Sequence, residues 1–129
     1  MRYILLIYRD ERAVAKLSDQ ERAKIFKQYG DFTESIRASG AFQAGDPLQP
    51  ATTATTVRMK NGKTVTTDGP FAETKEQLGG YYIVEAKTLD EAVSMAGRIP
   101  AVALGGSVEV RPIMDMRAPH TASSARAAR

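Results

Sequence analysis

A chain of 129 residues with 43% hydrophobic and 26% charged side chains has the length and balance of one soluble globular domain. It contains no cysteine, which excludes disulfides, a thiolate nucleophile and a Cys-bound metal, and suits a reducing, cytoplasmic setting. Of the formal net charge of +3, Arg117, Arg126 and Arg129 against Asp115 put +2 on residues 114–129; the near-neutral remainder argues against direct nucleic-acid binding, and no apolar run is long enough to span a bilayer.

Arg2 to Tyr8 reads as a strand whose two alternating sets, Tyr3/Leu5/Ile7 and Ile4/Leu6/Tyr8, are both apolar. Such a strand is covered on both faces, by helices on one and by a second sheet layer or another subunit on the other. The run is too short for a signal-peptide core. Arg9 to Leu17 reads as a polar connection. Ser18 followed by Glu21 is a capping box, and Ile25, Tyr29, Phe32 and Ile36, with Phe26 beside them, form one apolar stripe. A helix over 18–39, ended by Gly40, follows.

Residues 41–50 suggest a short strand and a turn. Asn61-Gly62 between the β-branched runs 54–59 and 63–67 predicts a hairpin with a type I′ turn. A strand over 80–86, a short helix opened by Thr88 and stopped before Pro100, and a strand through Val108 and Val110 complete the domain. The order β-α-β, hairpin, β-α-β predicts an α+β domain of ferredoxin-like type (βαββαβ with an added hairpin) over residues 1–113. Residues 114–129, rich in Ala, Ser and Arg, read as a disordered tail. The doubly apolar first strand predicts a homodimer joined sheet to sheet.

The densest run of constrained and reactive residue types is Thr67 to Tyr82, where Asp68-Gly69-Pro70 opens a turn and Gly79-Gly80 releases the chain into a strand. A polar loop held at both ends is where sites are found. The candidate catalytic groups are Asp68 or Glu73 as base and Lys75 as electrostatic stabiliser, with Tyr8, Gln77 and Tyr82 as ligand-binding residues. Against these stand plainer roles: Asp68 capping its own turn, Glu73 and Lys75 as a solvated ion pair, and one of Tyr81 and Tyr82 in the core. Arg9, at a strand end, can bind a carboxylate bidentately, though a plain surface arginine is the commoner case. Arg58 and Arg111 have Glu85 or Glu109 as cross-strand partners. No metal site and no cofactor are expected, since neither a helical His pair nor a phosphate-cradling Gly motif is present.

The stretch Thr67-Asp68-Gly69-Pro70-Phe71-Ala72-Glu73-Thr74-Lys75-Glu76-Gln77-Leu78-Gly79-Gly80-Tyr81-Tyr82 closely resembles the DGPF motif of YCII-related proteins, and the flanks at Tyr3–Tyr8, Ala54–Arg58 and Gly106–Pro112 match as well. The resemblance covers about residues 1–113. It implies a dimeric ferredoxin-like α+β barrel, usually from bacteria, in a family whose members mostly have no assigned activity. Short YCII proteins carry a His–Asp pair proposed as catalytic, and one relative is a dehydrochlorinase. The His lies on the first helix, and the Asp precedes a Pro after the second. Here the first helix has no His, Ile99 precedes Pro100, and His120 lies in the tail, so that chemistry does not carry over. The resemblance implies a homodimer that binds a small organic molecule, as a cofactor-independent lyase or isomerase. The alternative is a non-enzymatic accessory protein tied to sigma-factor-dependent transcription and acting through protein contacts, because some relatives are fused to or encoded beside such factors.

Overall fold

The structure, a computed structural model, describes residues 1–117; His120 and most of the expected tail lie outside the described residues. Four strands, β1 (Arg2–Arg9), β2 (Phe42–Pro47), β5 (Gln77–Glu85) and β6 (Ser107–Pro112), form one antiparallel sheet in the order β2-β5-β1-β6. The hairpin β3 (Thr55–Lys60) and β4 (Lys63–Asp68) forms a separate two-stranded sheet. Helices α1 (Glu11–Ala15), α2 (Asp19–Ala38), α3 (Leu89–Gly97) and α4 (Pro100–Ala103) complete a mixed α+β domain.

Helix α2 begins where its local chemistry dictates. The Ser18 hydroxyl accepts the Glu21 N–H at 3.1 Å, and the Glu21 carboxylate accepts the Ser18 N–H at 3.0 Å. Two donors that the helix itself cannot satisfy are thereby paired. At the far end Gly40 takes φ +81°, a conformation glycine adopts without steric cost. At the tip of the hairpin Asn61 and Gly62 take φ +52° and +76°, as a type I′ turn requires.

The core lies on one face of the four-stranded sheet. Tyr3, Leu5 and Ile7 of β1 and Tyr82 and Val84 of β5 are buried against Phe32 and Ile36 of α2, Ala92, Met95 and Ala96 of α3, and Ile99 and Ala101. The Phe32 and Tyr82 rings meet edge to face, 5.2 Å between centroids at 72°, a geometry worth about 0.5–1.5 kcal/mol beyond the area it buries. The opposite face carries Ile4, Leu6, Tyr8, Tyr81 and Ile83, all half-buried, and none of the helices among the described residues packs on it. β1 is thus apolar on both faces and, among the described residues, covered by helices on one.

The region expected to be an irregular connection after β1 contains a helix. Asp10 caps α1 by accepting the Arg12 N–H at 3.0 Å. The Glu11 carboxylate accepts the Ala51 N–H with both oxygens at 3.0 Å, tying α1 to a 3-10 turn at Ala51–Thr53. The segment after Ile99, expected only as a helix stop, opens α4 with Pro100 at its first position; a proline there lacks only an N–H that no helical partner would take. Arg111 pairs with Glu109 at 2.6 Å, whereas Arg58 stands over the Phe71 ring at 5.0 Å instead of pairing with Glu85, which binds the Met1 ammonium at 2.9 Å.

Candidate functional site

The apolar stripe of α2 runs past the edge of the core. Ile36 is 1% and Phe32 5% exposed, Tyr29 and Ile25 are half-buried, and Phe26 is 81% exposed. A stripe written for burial therefore parts from the sheet toward its N-terminal end. The gap is a cleft of about 830 Å³, a size that suits small organic ligands. Its floor is the helix-side end of the sheet, with Ile7, Phe42, Gly79 and Tyr82; its walls are Val14 of α1, Leu17 between the helices, Ile25, Phe26 and Tyr29 of α2, and Ala101, Leu104, Gly105 and Gly106.

The lining surface is largely apolar, and the charged side chains that border it, Arg9, Asp10, Arg22 and Arg37 among them, stand beside a few hydroxyls. Thr33 Oγ1 lies 2.8 Å from the Tyr82 hydroxyl and donates to the Tyr29 carbonyl at 2.9 Å. A threonine hydroxyl has one proton, so Tyr82 donates to Thr33. The Tyr29 hydroxyl is pushed above its ordinary range by burial, while the Arg9 charge pulls the other way, Tyr82 adds to the rise, and the Ala101 backbone N–H opposes it. Arg9 leaves the end of β1 into the cleft over Gly79. A Cβ on Gly45 would meet Tyr82 Cδ1 at 2.6 Å, so glycine there makes room for the ring.

The residues singled out from sequence do not assemble into one site. Of the six residues assigned catalytic or ligand-binding roles, Tyr82 lines the cleft, and it is also core, 7% exposed. Tyr8 is half-buried on the sheet face away from the helices. Gln77 closes its own loop, donating to the carbonyls of Thr74 at 2.7 Å and Ala72 at 3.3 Å. Asp68 ends β4 opposite Thr55 and is exposed; its side chain accepts no hydrogen bond among the described residues, so it does not cap the turn. That turn is set by Gly69, at φ +102°, whose N–H donates to the Ala54 carbonyl at 2.7 Å. Glu73 and Lys75 are exposed and form no ion pair among the described residues. Glu76 accepts from the Ser107 hydroxyl at 3.0 Å and so ties the loop to β6.

Arg9 was visible in the sequence as a strand-end arginine able to hold a carboxylate, and Tyr29 only as part of a helical stripe. They come together in the cleft, where the Arg9 charge and the Ala101 backbone of α4 both act on the Tyr29 hydroxyl. No group of three metal-ligating side chains occurs among the described residues. No helix among them is long and apolar enough to cross a membrane.

The fold and cleft define a small mixed α+β protein with a ligand-sized opening on the helical side of an antiparallel sheet. Residues 1–117 match the YCII-related domain, and over 114 residues the chain is 37% identical to an uncharacterized protein of Rhizobium meliloti (strain 1021), spanning 88% of this chain and 92% of that one. The chain belongs to the YCII-related family.

Proposed function

We propose that this protein binds a small organic molecule in the cleft between α1, α2 and the sheet, and does so as a homodimer of ferredoxin-like domains. The observation that carries the reading is the divergence of the α2 stripe from the sheet, which leaves Ile25 and Phe26 lining about 830 Å³ of open cleft beside Arg9 and Tyr29. Apolar walls with a few convergent polar groups are the usual make-up of a small-molecule pocket.

The strand order β2-β5-β1-β6, with helices on one face, supports the ferredoxin-like reading. The half-buried apolar set Ile4, Leu6, Tyr81 and Ile83 on the other face supports a partner sheet. The hairpin supports it too. A lone two-stranded hairpin is marginal in water, yet Val57, Met59 and Phe71 are exposed. Two copies joined sheet to sheet would shield the first set.

The cleft supports binding better than catalysis. Its wall presents hydroxyls and a guanidinium, and its carboxylates already accept hydrogen bonds or pair with cations. Asp68, Glu73 and Lys75 lie on exposed backbone outside it, so a catalytic role for them would need a second site completed by the partner copy. A fragment screen by two-dimensional NMR tests the pocket. Binding fragments are expected to shift the amides of Val14, Tyr29 and Ala101; shifts confined to residues 68–77 would move the site to the loop.

A further inference from the structure

Resting on the reading of the cleft as the ligand site, we infer that its ligand is an organic monocarboxylate with an apolar body, the carboxylate held by the Arg9 guanidinium beside the Tyr29 hydroxyl.

The assignment follows from which charges around the cleft are already satisfied. Arg22 donates to the carbonyls of Val14, Ala15 and Leu17 at 3.1–3.3 Å, closing the C-terminal end of α1. Arg37 lies 4.4 Å over the Phe42 ring and 3.9 Å from Glu34. Among the acids, Asp10 caps α1, Asp31 pairs with Lys27 at 3.1 Å, and Asp46 accepts from the Tyr81 hydroxyl at 2.9 Å. Arg9 is the exception. It is half-buried, and among the described residues its side chain takes part in no hydrogen bond and no ion pair.

An arginine keeps its charge at any working pH and offers a planar fork of N–H donors matched to a carboxylate. Such charge-assisted pairs are about twice as strong as neutral hydrogen bonds. The fork sits where only glycine leaves room for it, with Nε 2.7 Å from where a Cβ of Gly79 would stand. One unmatched cation suits one anionic group; a second would share the cleft with the carboxylates of Asp10 and Asp46. The remaining wall, Val14, Leu17, Ile25, Phe26 and Phe42, calls for an apolar body.

Calorimetric titration with 2-naphthoate and its neutral isostere 2-naphthamide tests the inference on the full-length wild type, Arg9→Gln and Arg9→Lys. The wild type is expected to prefer the acid by about tenfold or more, as befits a hydrogen bond to a charged group. Arg9→Gln is expected to take both probes equally, at the wild-type affinity for the amide, and Arg9→Lys to keep part of the preference. If Arg9→Gln does not fold, Arg9→Lys decides: a preference equal to that of the wild type contradicts the bidentate role. Equal binding of acid and amide by the wild type overturns the carboxylate assignment and leaves the cleft reading in place. Binding of neither probe counts against both, and an acid preference surviving in Arg9→Gln removes Arg9 from the site.

Discussion

The Arg9 guanidinium lies directly over Gly79: a Cβ at that position would stand 2.7 Å from Nε, 3.2 Å from Nη2 and 3.3 Å from Cζ. The contact joins the end of β1 to the start of β5, where the polyglycine step Gly79-Gly80 meets a bulge in the register between Ile7 and Tyr8. It places a cation in the cleft with backbone, not side chain, beneath it.

Gly79→Ala is therefore expected to act on Arg9 more than on the fold. The atom in the way is the end of a flexible side chain, which can move aside, so stability is expected to change by less than about 1 kcal/mol. Gly106→Ala is a control of opposite kind, because its Cβ would stand 2.6 Å from the Tyr8 carbonyl oxygen and 3.1 Å from that of Ala101, and backbone does not move aside cheaply. Overpacking of that sort costs about 1–3 kcal/mol. Urea denaturation of both variants checks the ranking; an equal loss in the two would contradict it.

Tyr82→Phe removes the hydroxyl that donates to Thr33 while leaving its contacts with Phe32 and Phe42. The expected cost is about 1 kcal/mol, the usual net worth of one hydrogen bond. Thr33→Val should cost at least as much, since Thr33 also donates to the Tyr29 carbonyl. Residues in one network do not add independently, so the double variant should lose less than the sum. Additive losses would show that the two hydroxyls do not interact.

The α2 cap predicts a response to acid. The Ser18 backbone N–H, and then its hydroxyl, hold the Glu21 carboxyl below its ordinary value of 4.5. Unfolding restores the ordinary value, so the unfolded chain binds that proton more readily. The stabilising contribution is present above the unfolded pKa and is lost as pH falls through the folded one. Glu21→Gln is expected to flatten the acid limb of stability against pH, and Ser18→Ala to cost about 1 kcal/mol at neutral pH. Denaturation curves across the carboxylate range check both; an unchanged acid limb in Glu21→Gln contradicts the assignment.

Much of the secondary structure could be read from local signals. Ser18, Glu21, the 25–36 stripe and Gly40 act within one helix, and Asn61-Gly62 sets its hairpin by backbone preference alone. What escaped is what depends on short range without periodicity, or on contacts far apart in sequence. The five residues of α1 are too few to show a stripe, although Asp10 was there to cap it. Pro100 carried two meanings, a stop for α3 and a start for α4, and only the first was taken. The site was harder still. The polar residues of 67–78 attract attention by their types, yet Gln77 and Glu76 serve to hold the loop together. The cleft arises where an apolar helix stripe leaves the sheet, and nothing in Ile25 or Phe26 distinguishes a residue facing a cleft from one facing core.

The sheet face carries its own prediction. Ile4 stands opposite Ile83 and Leu6 opposite Tyr81 in the β1–β5 register. A carboxylate at Leu6, half-buried on that face, would be desolvated in a sheet-to-sheet dimer but hydrated in a lone chain. Leu6→Glu is expected to give a folded monomer by light scattering with an unchanged far-ultraviolet spectrum. Unaltered mass in solution would place the interface elsewhere.

Native mass spectrometry of freshly purified protein, with Ala13→Trp beside the wild type, tests the central claim most directly. Ala13 is exposed on the cleft wall, so the indole fills the cleft without entering the core. The prediction is a species of two chains carrying a reproducible small-molecule adduct in the wild type, and two chains without adduct in Ala13→Trp. A wild type that flies as a bare single chain, or an adduct that survives the tryptophan, would contradict the account.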